Sequence, residues 1–394
     1  MARRDTRAGK AGFFLNKKAV SIGFVVLLFG VTAVNLLTPQ RDFSESENRY
    51  LQTLPSLNAE DIASGKYAQD FEKYTADQFV GRDGWIGLKT MAELALLKKD
   101  NQRVYFGGEG TLFDAEEAID GERLAKNAQA AAALARALKE NNPDFRASSL
   151  LVPTASAILT DRLPAFAPVP DQAAALETAA ALLQSDAPLY DATGLLKSHT
   201  DLPLYYRTDH HWTTQAAYLV YAGWAAQNGL SPQPESAFTM KTVSDSFYGT
   251  LYSRANLPTI RPDSVTAYKP AEPETVSVLY DDGTVKDTLY REEYLEQKDK
   301  YSYFLGGNHA RVEITTGTGN GRVLLLVQDS YAHCFVPFLT AHYERILVID
   351  PRYFKEDIYT YAVENGATDL LLLYNLPNFS VDRYAANMRP QPAE

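Results

Sequence analysis

The sequence predicts an α/β fold built on a mainly parallel sheet with helices on each side. Three short apolar runs near the end of the 394-residue chain, at 323–328, 346–349 and 369–374, alternate with stretches of helical character. Strands that are apolar along their whole length are buried on both faces, which is typical of parallel sheets covered by helices. An alanine-rich helix over 117–139 and a strand over 147–152 extend the same alternation toward the N-terminus.

The first residues of the chain predict a membrane anchor. Six basic groups and one acid fall within residues 1–18, and residues 19–37 contain three polar side chains and no charge. An apolar run of this length just crosses a hydrocarbon core, and its basic flank favours the cytoplasmic side. We therefore expect a cytoplasmic basic tail over 1–18, a transmembrane signal anchor over 19–38 and an extracytoplasmic remainder.

A cleaved signal peptide is the alternative to a retained anchor. Val31-Thr32-Ala33 has the small-residue pattern that a signal peptidase accepts, and cleavage near Ala33 would secrete the protein. Retention at the cell membrane is favoured because the apolar run continues past Ala33 and no cysteine for lipidation follows it.

The part of the chain outside the membrane is strongly acidic. Without the six basic and one acidic residues of 1–18, the 38 basic and 49 acidic residues of the chain become 32 and 48, a formal charge of −16. Nucleic acid is therefore excluded as a partner. The single cysteine, Cys334, rules out an internal disulfide. Its apolar neighbours favour a buried packing role over a nucleophilic one.

Three segments follow the anchor. Residues 39–64 are polar and punctuated by proline, which suits a stalk. Residues 65–114 have helical periodicity, broken at Gly81-Arg82-Asp83-Gly84, and are expected to form a helical lead-in. The α/β domain is expected over 115–394. It carries a β-rich insertion at about 240–320, whose many tyrosines suit sugar binding or ordinary β packing.

A serine stands where an apolar strand gives way to a helical pattern. Ser330 follows the strand at 323–328 and precedes a predicted helix over 332–343. Ligand crevices of open parallel sheets lie at the carboxyl ends of strands, and a helix N-terminus there offers backbone N–H groups to an oxyanion. Ser330 is therefore a candidate nucleophile. A plain N-cap is the alternative, and the turn is not a Gly-x-Ser-x-Gly elbow.

The second polar group is Asp209-His210-His211-Trp212, just before a helix that Thr213 can cap. Asp209 and His211 are two residues apart, so in an extended segment both side chains leave from one face. The carboxylate can then hold one ring nitrogen while the other faces a nucleophile. His210 should point away. This pattern predicts the base and the orienting acid of a serine triad.

Other interpretations of this tetrapeptide stay open. His and Asp are common zinc or iron ligands, with His199, His309 or His333 as further ligand candidates, although neighbouring side chains do not easily converge on one ion. The tetrapeptide could instead cap the helix, or form a sugar-binding loop with Trp212 as its platform.

Two further turns supply candidate binding residues. In Gly306-Gly307-Asn308 the glycines let the backbone approach a ligand closely, and the asparagine amide can donate to an oxyanion; a plain turn is the alternative. Arg352 follows a strand end, so it lines the crevice or forms a surface salt bridge. The predicted substrate- and oxyanion-binding set is Gly307, Asn308, Trp212, Tyr331 and Arg352.

These residues resemble the DHHW family of extracytoplasmic proteins, which is named for the tetrapeptide at 209–212. The resemblance covers nearly the whole chain after the anchor. It includes Asp77-Gln78-Phe79, Gly81-Arg82-Asp83, YFGGEGTLF at 105–113, FYGTLY at 247–252, Gly306-Gly307-Asn308, Asp329-Ser330-Tyr331-Ala332 and Asp350 to Phe354. The family is similar to SGNH-like proteins that O-acetylate bacterial exopolysaccharides such as alginate.

The resemblance implies a fold and a catalytic set. The fold would be an SGNH-hydrolase-like three-layer sandwich. The relatives place an Asp-x-His-Trp element before the nucleophilic serine, which Asp209, His211, Trp212 and Ser330 match. His210 departs from them, since they usually have a small polar residue at that position.

The resemblance also implies an activity and partners. The activity would be O-acetyl transfer or acetyl-ester hydrolysis on a polysaccharide, with a membrane-bound O-acyltransferase as acetyl donor. We expect neither a metal nor another cofactor. The alternative is a catalytically inactive glycan-binding or envelope-assembly protein on the same fold, because a fold does not fix a function.

Overall fold

The computed structural model describes residues 17–390, apart from 45, 46, 48, 102 and 273. The chain divides into two compact units, Met1–Leu88 and Lys89–Glu394. The predicted basic tail at 1–18 lies outside the described residues except for its last two positions.

The first unit begins with the predicted apolar helix, α1 (Lys17–Leu37). Its residues Lys18–Leu37 have a mean hydropathy of 2.3, so by length and composition they can cross a membrane. The helix fits either a signal anchor or a single span. Thr32 and Thr38 turn their hydroxyls back onto backbone carbonyls one turn earlier, so both donors are satisfied within the helix.

The segment predicted as a stalk is bonded to the helix that follows it. Its strands β1 (Phe43–Ser44) and β2 (Arg49–Tyr50) pair antiparallel, and the helices α2 (Ala59–Ala63), α3 (Lys66–Asp77) and α4 (Arg82–Ala95) come next. The buried carboxylate of Asp77 accepts hydrogen bonds from Arg49 Nη2 at 2.6 Å and from Gln52 N at 2.9 Å. These bonds hold residues 49–52 against the end of α3. The helical break falls at 78–81, so only Gly81 of the predicted Gly81-Arg82-Asp83-Gly84 lies in it and the other three residues begin α4.

The second unit alternates helices and strands. Its helices are α5 (Gly121–Asn141), α6 (Ala155–Ile158), α7 (Gln172–Leu183), α8 (Thr193–Lys197), α9 (Thr214–Gln227), α10 (Thr250–Ala255), α11 (Ile358–Glu364) and α12 (Leu376–Val381). Its strands are β3 (Val104–Phe106), β4 (Leu112–Asp114), β5 (Arg146–Val152), β6 (Phe238–Phe247), β7 (Asp263–Pro270), β8 (Val276–Tyr280), β9 (Val285–Lys286), β10 (Arg311–Thr316), β11 (Val323–Gln328), β12 (Arg345–Ile349) and β13 (Asp369–Asn375).

The central sheet is mixed, where the sequence predicted a mainly parallel one. Its seven strands run in the order β5-β13-β11-β12-β10-β8-β9. The first four are parallel, and the last three join them through antiparallel pairs. Those three strands come from the segment predicted as an insertion. A tight turn joins the antiparallel strands β8 and β9, whereas parallel neighbours need a crossover of a dozen or more residues.

Apolar side chains fill both faces of this sheet. Successive residues of a strand point to opposite faces, so each buried strand contributes to two cores. One core contains Leu324, Leu326, Leu371 and Leu373 together with Ala216, Val220 and Trp224 of α9. The other contains Leu325, Val327, Leu370 and Leu372 together with residues of α5, α7, α11 and α12. The predicted burial of both faces is confirmed.

The helix predicted over 332–343 does not form. Two short 3₁₀ helices, Ser330–Ala332 and Val336–Phe338, take its place. Pro337 explains the difference, because proline lacks a backbone N–H and its ring clashes with the preceding turn of an α-helix. Ser330 therefore starts a short turn and lacks the dipole of a long helix behind it.

The two-sided core predicts a large cost for truncation at its centre. Leu371 is fully buried in β13, so we expect Leu371→Ala to lower the free energy of unfolding by about 2–5 kcal/mol. Val285 lies on the edge strand β9 with 61% of its surface exposed. Val285→Ala should therefore change the free energy of unfolding by less than about 0.5 kcal/mol. Urea denaturation measures both. Equal losses would contradict the position of this core.

Candidate active site

Ser330 lies just beyond the C-terminal end of β11 in a turn fixed by a buried carboxylate. Asp329 accepts hydrogen bonds from Tyr331 N at 3.0 Å, from Asn375 N at 3.2 Å and from Asn378 Nδ2 at 3.1 Å. Asn375 is the last residue of the neighbouring strand β13 and Asn378 lies in α12 just after it, so these bonds tie the turn to that strand end. Burial raises the pKa of Asp329 to about 6.

His211 reaches Ser330 from the segment before α9. His211 Nε2 lies 2.8 Å from Ser330 Oγ, and His211 Nδ1 lies 2.6 Å from Asp209 Oδ1. Asp209 and His211 are 4% and 6% exposed, so the bond between them is shielded from water, and the bond from His211 to Ser330 is partly buried. The three residues picked out by their spacing in the sequence therefore form one hydrogen-bonded line, called here the Asp209–His211–Ser330 line.

The carboxylate of Asp209 is saturated with donors. Oδ1 also accepts the backbone N–H of His211 at 3.0 Å, and Oδ2 accepts from Thr250 N at 2.8 Å and from Thr250 Oγ1 at 3.0 Å. Burial opposes ionisation of Asp209. His210, His211 and these hydrogen bonds outweigh it and hold the pKa of Asp209 well below its usual range.

Gly249 makes room for that carboxylate. A Cβ atom at position 249 would lie 2.2 Å from Asp209 Cβ, so any larger residue would displace Asp209. Gly249 and Thr250 belong to the FYGTLY segment, to which sequence reasoning gave no role. The segment was recognised as part of the family resemblance, but only the fold shows that it packs against Asp209.

Tyr301 is a second residue that sequence reasoning did not assign. Its ring stacks on His211 with centroids 3.8 Å apart and planes 13° apart, and its hydroxyl donates to Ser330 O at 3.0 Å. The side chain is buried, so Tyr301 positions the imidazole and the serine. One tyrosine of the predicted insertion is therefore a buried residue that contacts both His211 and Ser330.

The predicted substrate-binding roles of Trp212 and Tyr331 are wrong. Both side chains are fully buried and offer no face to a ligand. Trp212 Nε1 donates to Tyr331 O at 2.8 Å and the indole stacks on Phe335, while Tyr331 Oη donates to His210 O at 2.6 Å. Their role is to join the two segments that carry His211 and Ser330.

His210 does not point away from His211, as an extended segment would require. The chain bends here, and the two imidazole rings lie 3.9 Å apart with Nδ1 of His210 2.7 Å from Thr250 Oγ1. Burial, followed by the neighbouring His211, lowers the pKa of His210 to about 4. His210 is therefore uncharged near neutral pH.

The same bend brings potential metal ligands together. Asp209, His210 and His211 each offer an atom within 4.8 Å of the others, although the sequence made such convergence look difficult. However, both oxygens of Asp209 already accept hydrogen bonds, and the two ring nitrogens of His211 face Asp209 and Ser330. Only His210 retains a nitrogen for an ion, so this donor set fits a metal poorly. His199 and His309 hydrogen-bond to Leu195 O and Asp281.

The predicted oxyanion residues lie at the same edge of the sheet. Gly307 and Asn308 precede β10, whose first residue pairs with the C-terminal end of β12. Within the described residues, neither hydrogen-bonds to Ser330, and the N–H of Ser330 itself donates no hydrogen bond. Arg352 is held by Asp350 at 2.6 Å with 31% of its side chain exposed. The oxyanion roles stay predictions.

Comparison with known proteins gives one family match. The model of the DHHW family, described as DHHW protein, matches residues 150–349, a span that contains both His211 and Ser330. No curated protein matches the sequence.

Several solved structures resemble this one. A DHHW family protein from Eubacterium siraeum DSM 15702 matches with a TM-score of 0.59 and 24% identity, over 72% of this chain and 93% of that chain. Bacillus cereus PatB1 with a sulfonyl adduct matches with a TM-score of 0.60 and 19% identity, over 73% and 98%. The O-acetyltransferase domain of Pseudomonas putida AlgJ matches with a TM-score of 0.45 and 15% identity, over 73% of this chain and 98% of that chain. The first two establish a shared α/β fold.

Behind this site, His333 predicts a pH effect on stability. It is buried, its Nε2 has no hydrogen bond among the described residues, and burial lowers its pKa to about 3. The unfolded chain binds this proton near pH 6.5, so the contribution of His333 to stability is complete above that pH and is lost as the pH falls.

We therefore expect His333→Gln to lose less stability than the wild type when the pH falls from about 7 to about 4.5. The slope of the unfolding free energy against pH should be smaller by up to one proton. Urea denaturation across this range measures the slope, and equal slopes for the two proteins would contradict the prediction.

Proposed function

The chain belongs to the DHHW family, and from that premise we propose that it is an extracytoplasmic serine acyltransferase or esterase. Its substrates are O-acetyl groups of cell-surface or secreted polysaccharide. The distance of 2.8 Å between His211 Nε2 and Ser330 Oγ carries the proposal. A serine hydroxyl bonded to an imidazole that a carboxylate orients is the arrangement that activates serine as a nucleophile.

The reaction is a double displacement. His211 Nε2 takes the proton of Ser330 Oγ, which attacks the acetyl carbonyl of the donor; the leaving alcohol then takes that proton, and acetyl-Ser330 remains. A glycan hydroxyl or water attacks the acetyl group next, losing its proton to His211, which returns it to Ser330. Asp209 stays ionised throughout and stabilises the imidazolium.

The oxyanion of each tetrahedral intermediate needs donors at the sheet edge. The N–H of Ser330 points to no other described acceptor and is the first of them. Gly307 and Asn308 are proposed as the others, and Arg352, whose guanidinium is paired with Asp350, is proposed to line the crevice at the neighbouring strand end. A choice between transfer and hydrolysis depends on how far the bound acceptor excludes water.

The apolar helix α1 supports the proposed location. As a signal anchor it would leave a tail over 1–18 in the cytoplasm and place the stalk, the lead-in and the SGNH-like domain outside. A transferase at that place needs an acetyl donor on the outer side of the membrane. A membrane-bound O-acyltransferase that hands acetyl groups across the bilayer would supply it, and a polysaccharide would accept it.

Removal of the nucleophile tests the proposal. We expect Ser330→Ala to lower turnover of p-nitrophenyl acetate by about a thousandfold or more, because the remaining groups cannot form the acyl-enzyme. Mass spectrometry should find an acetyl group on Ser330 in the wild type. Ser185→Ala, at an exposed serine, is the control and should retain full activity. Unchanged turnover in Ser330→Ala would favour the inactive glycan-binding alternative.

The donors to Asp209 give a second test. Thr250→Val removes the hydroxyl bond to Asp209 but keeps the backbone one, and we expect turnover to fall about tenfold or more because a bond to a charged group is lost. Thr250→Ser retains the hydroxyl and should stay within about twofold. If serine and valine variants lose activity equally, the hydroxyl does not support the carboxylate.

A further inference from the structure

A cavity of about 160 Å³ opens beside the Asp209–His211–Ser330 line. Asp209 and His210 form one of its walls, and Asn375 and Asn378 form another. Ser330 itself does not line the cavity, but its turn is bonded to or adjoins residues of both walls. Its hydroxyl bonds to the histidine next to His210, and the residue before it, Asp329, bonds to both asparagines. The cavity therefore adjoins the serine turn through residues that are bonded to it or next to it in sequence.

The described lining of this cavity contains three further carboxylates and no lysine or arginine. Two of them are paired with arginines: Asp114 lies 2.6 Å from Arg254, and Glu116 lies 2.7 Å from Arg254 and 3.8 Å from Arg103. Glu117 has no basic partner among the described residues. It is thus the one acid of this wall whose charge is left for a ligand.

Neutral donors hold Glu117 in place. Its Oε2 accepts hydrogen bonds from Ser156 Oγ and from Gln172 Nε2, at 3.4 Å from the latter. Gln172 is itself fixed by Thr154, through Nε2 to the hydroxyl at 2.6 Å and through Oε1 to the backbone N–H at 3.0 Å. The other carboxylate oxygen, Oε1, makes no hydrogen bond within the described part of the chain. Burial raises the pKa of Glu117.

We propose that this cavity receives the acceptor glycan, and that Glu117 selects a sugar unit that carries hydroxyl or amino donors and no carboxylate. The inference rests on the proposed transferase or esterase function. Glu117 Oε1 accepts a hydrogen bond from the sugar, in the way that a preorganised carboxylate binds a hydroxyl. A uronate would bring a second carboxylate beside a partly buried one, which low dielectric makes costly.

The size of the cavity fits one end of a glycan. Pockets that bury drug-sized ligands have volumes of about 300–1,000 Å³, whereas this one has about 160 Å³. One sugar unit, or part of one, enters, and the rest of the polysaccharide remains outside. Selectivity therefore concerns the unit that accepts the acetyl group.

Binding to the full-length Ser330→Ala protein in detergent tests this inference without any chemistry. The probes are pentamers of N-acetylglucosamine, glucosamine and galacturonate, which are neutral, cationic and anionic. We expect calorimetry to give the first two at least about tenfold tighter binding than the third. Glu117→Gln should weaken binding of the neutral and cationic pentamers about tenfold, which narrows the difference in affinity between them and the anionic pentamer. Glu177→Gln is the matched control, since Glu177 is an exposed acid of α7 outside the cavity lining, and should change binding less than about twofold.

A kinetic measurement connects this binding to the serine. In the wild type the neutral pentamer should accelerate loss of the acetyl group from acetyl-Ser330, and Glu117→Gln should need about tenfold more pentamer for the same acceleration. Preference for the galacturonate pentamer, equal binding of all three, or no binding of any would each overturn the inference. Failure to form acetyl-Ser330 would instead refute the proposed function, because that step needs no acceptor.

Discussion

Two hydrogen bonds that cross between distant segments hold the site together. Trp212 Nε1 donates to Tyr331 O at 2.8 Å, and Tyr331 Oη donates to His210 O at 2.6 Å. Because the donors lie on opposite segments, the pair fixes both the separation and the orientation of the two backbones. His211 and Ser330 lie within this frame, so they meet at 2.8 Å although 119 residues separate them in sequence.

The charges around this frame favour one ionic state of the imidazole. Asp209 remains ionised, while burial keeps His210 and His333 uncharged near neutral pH. A second imidazolium beside His211 would oppose its protonation, since like charges disfavour one another at short range. With His210 neutral, the positive charge that forms on His211 is opposed by no adjacent cation and is balanced by Asp209.

The pattern of apolar residues along the sequence predicted the strands, because a strand depends mainly on neighbouring residues. The apolar runs gave β5, β11, β12 and β13, and the position of Ser330 after β11 follows from them. The packing of distant segments was not predictable. Tyr301 stacks on His211, Thr250 bonds to Asp209, and Trp212 is buried only because other segments cover them, and no spacing within one segment records this. The bend at His210 likewise breaks the alternation on which its predicted orientation rested.

Two electrostatic effects act on an acceptor, and salt separates them. The net negative charge of the chain repels any polyanion over long range, and about 0.15 M salt screens that repulsion beyond roughly 8 Å. In the proposed acceptor site, Glu117 repels a uronate only at direct contact. Its carboxylate is half-buried and held by neutral donors, so salt screens this short-range repulsion little. Discrimination against a uronate that persists at high salt therefore belongs to Glu117, whereas discrimination that disappears belongs to the net charge. The salt dependence of uronate binding thus separates selectivity due to one carboxylate near the serine from selectivity due to the charge of the whole surface.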